Sequence, residues 1–439
     1  MEQPISISET EPAVSHSTVR RVVAASTAGT ALEWYDYFAY GTASALVFNR
    51  LFFPSLSPLA GTLVSFLAFA SGFLMRPLGA VVFGHMGDRY GRKFTLLVTV
   101  TGMGIATGLI GLLPTYEAIG TLAPIFLVSL RLLQGLSVGG EWGGAATICL
   151  EHAPPGYAAR YTMFVQMGGP MGTLLSTGMY ALLNLLPGDD FISWGWRIPF
   201  LASFVFVFIG MYMRLRIEES PVFQEALERE NVAKAPLIAT LRTSWRQVVA
   251  GVFVVQSGFY VVTTFVLSYG TTVLGLPRPL ILTATLLGTV VEIGVICIYG
   301  ILADRYGAVR VFIVSTALNI VVAFPVFLLV DTKVPVLVTL GVVLGIAIVA
   351  SPFGVLGVVL GKWFAVETRY TGLSVSYQVG SIASGFLPSI CIGVLDVAGG
   401  RSWGVSALLV LIAIIALVGC LAGQATLKRT SASSIVSSL

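Results

Sequence analysis

The stretch GHMGDRYGRK at residues 84–93 returns in degenerate form as GILADRYGAVR at residues 300–310. Asp88-Arg89-Tyr90-Gly91 is thereby matched by Asp304-Arg305-Tyr306-Gly307, and each string stands between two apolar runs. A second pair, Arg160-Tyr161-Thr162 and Arg369-Tyr370-Thr371, recurs at nearly the same offset. Two independent pairs at nearly one offset mark the duplication of a single unit, and such repeats set the frame for every later assignment.

Outward from these strings, apolar runs lie near 22–48, 58–83, 94–113, 122–149, 161–186 and 195–215. Six more follow near 247–273, 279–302, 309–330, 335–360, 371–395 and 403–427. A spanning helix needs roughly 20 apolar residues, so each run is long enough to cross a bilayer. The composition agrees: of 439 residues 56% are hydrophobic and 10% charged, with mean hydropathy +0.89, whereas soluble domains carry about 25% charged residues. A membrane β-barrel would alternate polarity over ~10-residue stretches; the continuous runs at 201–213 and 405–421 exclude it. The expectation is an all-α integral membrane protein of twelve transmembrane helices. Its parts are an N-terminal tail (1–21), a six-helix unit (22–215), a polar linker (216–246), a second six-helix unit (247–427) and a C-terminal tail (428–439).

Lys and Arg accumulate in cytoplasmic loops. With the N-terminus inside, only Arg50, Arg197, Arg278, Lys333 and Arg401 of the 25 cations fall outside, and Arg76 and Arg131 fall within spans. That bias places both termini and the linker in the cytoplasm. The first residues, through Ser17, show no apolar segment before a small-residue cleavage site, so no signal peptide is expected. The net charge of +4 is too small a bias to suggest a nucleic-acid partner. Cys149, Cys297, Cys391 and Cys420 lack metal-ligand spacing and are expected to pack in apolar surroundings. No Walker A, HExxH, CxxC or GxSxG pattern occurs, so neither a metal, another cofactor nor an ATP-driven engine is expected. Gly135, Gly139 and Gly143, spaced by four, are expected to let helices approach closely.

An ionisable residue deep in a span costs about 2.5–3.5 kcal/mol on the insertion scale and marks a pathway or a pair. The candidates are Glu33, Asp36, Arg76, Arg131, Glu141 and Glu292. Glu33, Asp36, Tyr37 and Tyr40 share one helical face, as do Arg131, Gln134 and Glu141. Glu33 and Asp36 either couple transport to protons or partner Arg76 and Arg131 structurally. His16, His85 and His152 lie in the tail or near helix ends, so a proton crossing the membrane has to use a carboxylate. Trp34, Tyr37, Tyr40, Trp142, Tyr260 and Tyr377 are candidate cavity walls.

The string at 84–93 matches the loop motif of the major facilitator superfamily, Gly-x-x-x-Asp-Arg-x-Gly-Arg-Lys/Arg, at every defined position. More narrowly, LEWYDYFAYG (32–41), FLMRPLGAVVFGHMGD (73–88), RLLQGLSVGGEWGGA (131–145), WGWRIPF (194–200) and EESPVF (218–223) resemble the metabolite:proton symporter family. The chain looks most like its shikimate-type and 2-oxoglutarate-type permeases. The resemblance implies two pseudo-symmetric six-helix bundles around a cavity that opens alternately to either side. It implies gating by Gly84, Asp88, Arg89, Gly91, Arg92 and Lys93, with Asp304 and Arg305 from the second copy; Glu141 is a further gating candidate. It places Arg131 and Gln134 near a coupling site, with Asp36 as the first-helix acid. The second copy has Ala308-Val309 where Arg or Lys often stands, and GGPMGT at 168–173 only partly resembles the antiporter signature.

The expected function is import of a small organic acid, shikimate-like or a di- or tricarboxylate, with at least one proton across the inner membrane, by a monomer surrounded by lipid and acting as a transporter rather than an enzyme. Glu33, Asp36 and Arg131 would couple the proton. Tyr37, Tyr40, Arg76, Arg131, Gln134, Tyr260 and Tyr377 would meet the substrate. Uptake of a zwitterionic compatible solute is the alternative within the same class, although the tail after Lys428 is too short for the heptads of osmosensing members. A sensor with a transporter fold and a membrane-embedded enzyme are the alternatives from other classes.

Overall fold

The computed structural model describes residues 16–437 except Gly91, His152, Pro155, Gly188, 216–235 and Ala365. Among the described residues each apolar run becomes a helical segment. In the first half these are α1 (16–51), α2 (Pro58–Tyr90), α3 (Arg92–Leu112), α4 (122–151), α5 (158–183) and α6 (195–215). In the second half they are α7 (236–273), α8 (Arg278–Tyr306), α9 (Ala308–Asp331), α10 (335–361), α11 (Val366–Val397) and α12 (Trp403–Ser437). Two single-turn helices, Tyr116–Ile119 and Asp190–Ser193, lie in connections.

Among the described residues eight helices are long and apolar enough to cross a bilayer, and Leu97–Leu112 and Val261–Val273 are shorter apolar ones. The first and fifth segments miss that measure for a chemical reason. Glu33 and Asp36 dilute α1, and glycine, serine and threonine dilute α5.

The packing repeats as the sequence does. Within the first half α1 packs on α5, α2 on α4 and α3 on α6; within the second, α7 packs on α11, α8 on α10 and α9 on α12. The halves meet where α2 packs on α11 and, in the equivalent place, α8 on α5. Every first-half pair therefore has its counterpart under one exchange of halves. A π-helical turn recurs too, at Ser44–Phe48 in α1 and Val261–Phe265 in α7. This is the major facilitator architecture of two pseudo-symmetric six-helix bundles.

Small residues make the close crossings possible. A Cβ on Gly135 would overlap the backbone carbonyl of Gly72, and one on Gly139 would run into the backbone of α2 at Arg76 and Ala80. Pro77, Pro325, Pro352 and Pro388 lie inside helices, which neighbouring helices tolerate in a membrane.

Helix extends beyond the expected boundaries at three places. The segment α7 begins at Pro236 rather than after 246, and a kink at Ser244 (φ −131, ψ 23) separates its first turns from the rest. Proline suits a first helical turn, where its missing N–H costs nothing. The segment α12 continues to Ser437 through the expected tail, where no glycine or proline interrupts it. The first helix likewise begins at His16, inside the expected N-terminal tail.

Candidate functional site

Mid-way along α1, the face bearing Glu33, Asp36, Tyr37 and Tyr40 turns wholly inward, and all four side chains are buried. Two connected polar groups grow from it. In the first, Arg76 of α2 lies 3.7 Å from Glu33 and donates from Nε to the Tyr37 hydroxyl at 3.1 Å. In the second, Asp36 accepts from Thr107 of α3 at 2.8 Å and from Ser203 of α6 at 2.7 Å. Gln134 of α4 donates to Thr107 at 2.7 Å, and Arg131 donates to Gln134 and, through Nε, to the Phe69 carbonyl at 3.0 Å.

Tyr37 joins the two groups. Its ring lies 4.2 Å from the Arg76 guanidinium carbon and 4.4 Å from that of Arg131. Phe73 and Tyr40 complete the aromatic surroundings, at 4.3 Å from Arg76 and 4.6 Å from Arg131 respectively. Ring faces are negative, so two buried cations are held here with help from cation–π attraction. A change of charge at Asp36 is thereby linked to Arg76 through a short chain of packed, hydrogen-bonded groups.

Arg76 also opens onto a cavity between the halves, about 510 Å³ of space between atoms. Its walls are largely aromatic, with Trp34, Phe73, Phe259, Tyr260, Phe353 and Tyr377; Ser257, Glu292, Ser381 and Ser384 supply further polar groups. Helix α7 breaks at this level. Residues 255–258 leave the helix, and Gln256 donates to the Val252 and Gly380 carbonyls at 2.8 and 3.0 Å. A larger space, about 640 Å³, lies within the second half beside Thr316 and Asn319. No charged side chain lines it among the described residues, so it offers nothing to compensate an ion.

The central cavity is closed at both ends. Toward the loop-motif end, Trp142 of α4 stacks on Tyr377 of α11 at 3.9 Å. Gln166 of α5 accepts from Trp142 at 2.9 Å and donates to the Phe353 carbonyl at 2.9 Å, while Gln378 donates to the Gly139 carbonyl at 3.0 Å. At the motif end itself, Asp304 of α8 accepts from the backbone N–H groups of Ala159 and Arg160, at 2.9 and 3.3 Å, and lies 3.3 Å from the Arg160 side chain. A carboxylate from one half thus sits on the positive end of a helix from the other. Toward the opposite end, Tyr260 of α7 packs on Phe69 and Phe73 at 5.2 and 5.5 Å and stacks on Trp34 at 6.3 Å.

Of the expected substrate residues, Arg76, Tyr260 and Tyr377 line the cavity. Tyr37, Tyr40, Arg131 and Gln134 lie behind it, in the buried network around Asp36. Glu141 is buried at the start of Glu141–Glu151. Arg305 is exposed and packs on the Tyr306 ring at 5.3 Å, whereas Asp304 of the second copy bridges the halves. The gating candidates Gly84, Asp88, Arg89, Gly91, Arg92 and Lys93 lie outside the residues whose side chains are described. Sequence reasoning missed Thr107 and Ser203 on Asp36, and Gln166 and Gln378 in the closure. The two glutamines carried a readable signal, each being a lone amide inside an apolar run.

The sequence profile of the family described as "Sugar (and other) transporter" matches residues 22–244. The chain is 41% identical to the shikimate transporter of Escherichia coli (strain K12), over 96% of this chain and 97% of that one. It is 42% identical to the inner membrane metabolite transport protein YhjE of the same organism, over 82% and 84%. Among solved structures, the major facilitator superfamily proton:xylose symporter XylE from E. coli aligns with a TM-score of 0.71 at 17% identity, covering 92% of this chain and 95% of XylE.

Proposed function

Because the chain belongs to the major facilitator superfamily, to its sugar (and other) transporters and among them to the metabolite:proton symporters, we propose that it imports a small organic acid together with at least one proton. The observation that carries this reading is a buried arginine, Arg76, at the wall of a closed cavity, held there by a carboxylate that a substrate carboxylate would rival. The shikimate transporter's similarity over nearly the whole chain supports an organic acid as cargo.

The cycle follows from charge. A membrane potential opposes anion entry by about 2.3 kcal/mol per charge per 100 mV, and an accompanying proton removes that cost. Asp36 takes the proton, with Glu33 as a second acceptor. Neutralising Asp36 leaves Arg131 without an anion in its network, and the shift passes through Tyr37 to Arg76, which then draws the substrate carboxylate from the outside. Loss of the proton to the more alkaline side restores the Asp36 charge and releases the acid inward.

In this proposal the loop-motif end faces the cytoplasm, with both termini and the linker, in the inner membrane. The helical units at 22–215 and 247–427 rock about the cavity as the two moving bodies, and a single chain suffices. No cofactor beyond the proton enters. The test is binding of labelled organic acids to purified protein. Arg76→Gln is expected to abolish saturable binding that the native protein shows, and unchanged affinity would overturn the assignment of Arg76.

A further inference from the structure

Among the described residues Glu292 is the one acidic side chain of the second half that lines the central cavity. It is 1% exposed, and its Oε2 meets no hydrogen-bond donor. Ser384, also on the wall, is buried with its hydroxyl unpartnered. Buried polar groups left in that state cost about 1–3 kcal/mol each, and their shared place on the cavity wall marks a site where a ligand supplies the missing partners. Arg76, at the wall contributed by the first half, is the only cation lining the cavity among the described residues, and Glu33 already holds it.

We propose that the cavity selects a hydroxylated monocarboxylate, its carboxylate on Arg76 and its hydroxyls on Glu292, Ser381 and Ser384. This deepens the organic-acid reading above and rests on it. A second carboxylate on the substrate would lie at mid-membrane beside Glu292 with no cation to face, so di- and tricarboxylates are excluded by charge. A quaternary ammonium would suit the aromatic walls and the Glu292 carboxylate, but it has no N–H or O–H to give and would leave the Ser384 hydroxyl unpartnered. Hydroxyls donate and accept, which fits a carboxyl group beside two serines.

The test is uptake into liposomes, under an inward proton gradient, of four labelled compounds: shikimate, cyclohexene-1-carboxylate, 2-oxoglutarate and glycine betaine. Native protein is expected to prefer shikimate over each of the others by at least roughly tenfold, as sites built to bind hydroxyls do. In Glu292→Leu and in Ser384→Ala the preference for shikimate over the unhydroxylated acid is expected to fall by roughly tenfold. That ratio is internal to each preparation, so a loss of folded protein leaves it unmoved, and either variant alone suffices. Best uptake of 2-oxoglutarate or betaine by native protein, or a ratio unchanged in both variants, would overturn this inference while leaving proton-coupled transport intact. No accumulation of any compound would overturn both.

Discussion

Asp36 accepts from the hydroxyls of Ser203 and Thr107, and hydrogen bonds through Gln134 and Thr107 join Arg131 to it. An acid held by neutral donors can gain and lose a proton without breaking a direct ion pair. Asp36→Asn is therefore expected to keep the fold and the exchange of labelled for unlabelled substrate, while accumulation driven by a pH difference disappears. Retained accumulation would remove Asp36 from the coupling role. Glu33 and Arg76 differ, because they form a direct buried pair. Removing one partner of such a pair costs about 3–5 kcal/mol, so Arg76→Gln is expected to lower the thermal stability of purified protein more than the double change Glu33→Gln/Arg76→Gln. Equal losses would show that the pair contributes nothing as a pair. Both acids, Arg76 and Arg131 were legible in the sequence, since each is an ionisable group in an apolar run. Which of them line the cavity was not legible, because a rotation of one helix by a few tens of degrees decides it.

Helix ends and crossings hold the two halves together. The start of α5 carries unpaired N–H groups, and Asp304 from α8 satisfies two of them across the interface. Asp304→Asn keeps hydrogen-bonding capacity but removes the charge, an effect of about 0.3–1 kcal/mol at a helix terminus. With a single cysteine at Ser374, which packs against Gly143 across the halves, this change is expected to raise labelling by a water-soluble maleimide by up to roughly fivefold. An unchanged rate would mean that Asp304 does not hold the motif end shut. At the crossing of α2 and α4, Gly135→Val would drive a side chain into the Gly72 backbone, and the yield of monodisperse protein is expected to collapse. The small-residue spacing at 135 and 139 announced that crossing in the sequence, while Gly143, next in the same spacing, faces Ser374 of α11. The break in α7 at 255–258 was hidden, because Val255, Gln256, Ser257 and Gly258 lie within an apolar run and only the cavity beside them explains the interruption.

The exchange of halves organises the whole molecule. Duplicate strings at 84–93 and 300–310 made the twelve-helix, two-bundle plan readable before any coordinates, and the packing repeats it pair for pair. The chemistry does not follow that symmetry. The first half holds Glu33, Asp36, Arg76 and Arg131 around α1, whereas among the described residues the polar groups lining the second-half space, such as Thr316 and Asn319, are all neutral. In the proposed cycle one bundle handles proton and carboxylate, and the other contributes Tyr260, Tyr377 and Glu292 to the cavity wall. In the proposed alternating-access cycle, the form in which Trp142 stacks on Tyr377 on one side and Tyr260 packs among phenylalanines on the other is the occluded midpoint.

The most direct measurement is uptake of a labelled organic acid by the purified protein in liposomes with and without an imposed inward proton gradient. One pH unit supplies about 1.4 kcal/mol per proton, so an electroneutral symporter carrying one proton accumulates its substrate roughly tenfold per unit, and an uncoupler abolishes the gain. Accumulation that follows the gradient in this way is the predicted result. Equal uptake with and without the gradient would contradict the account.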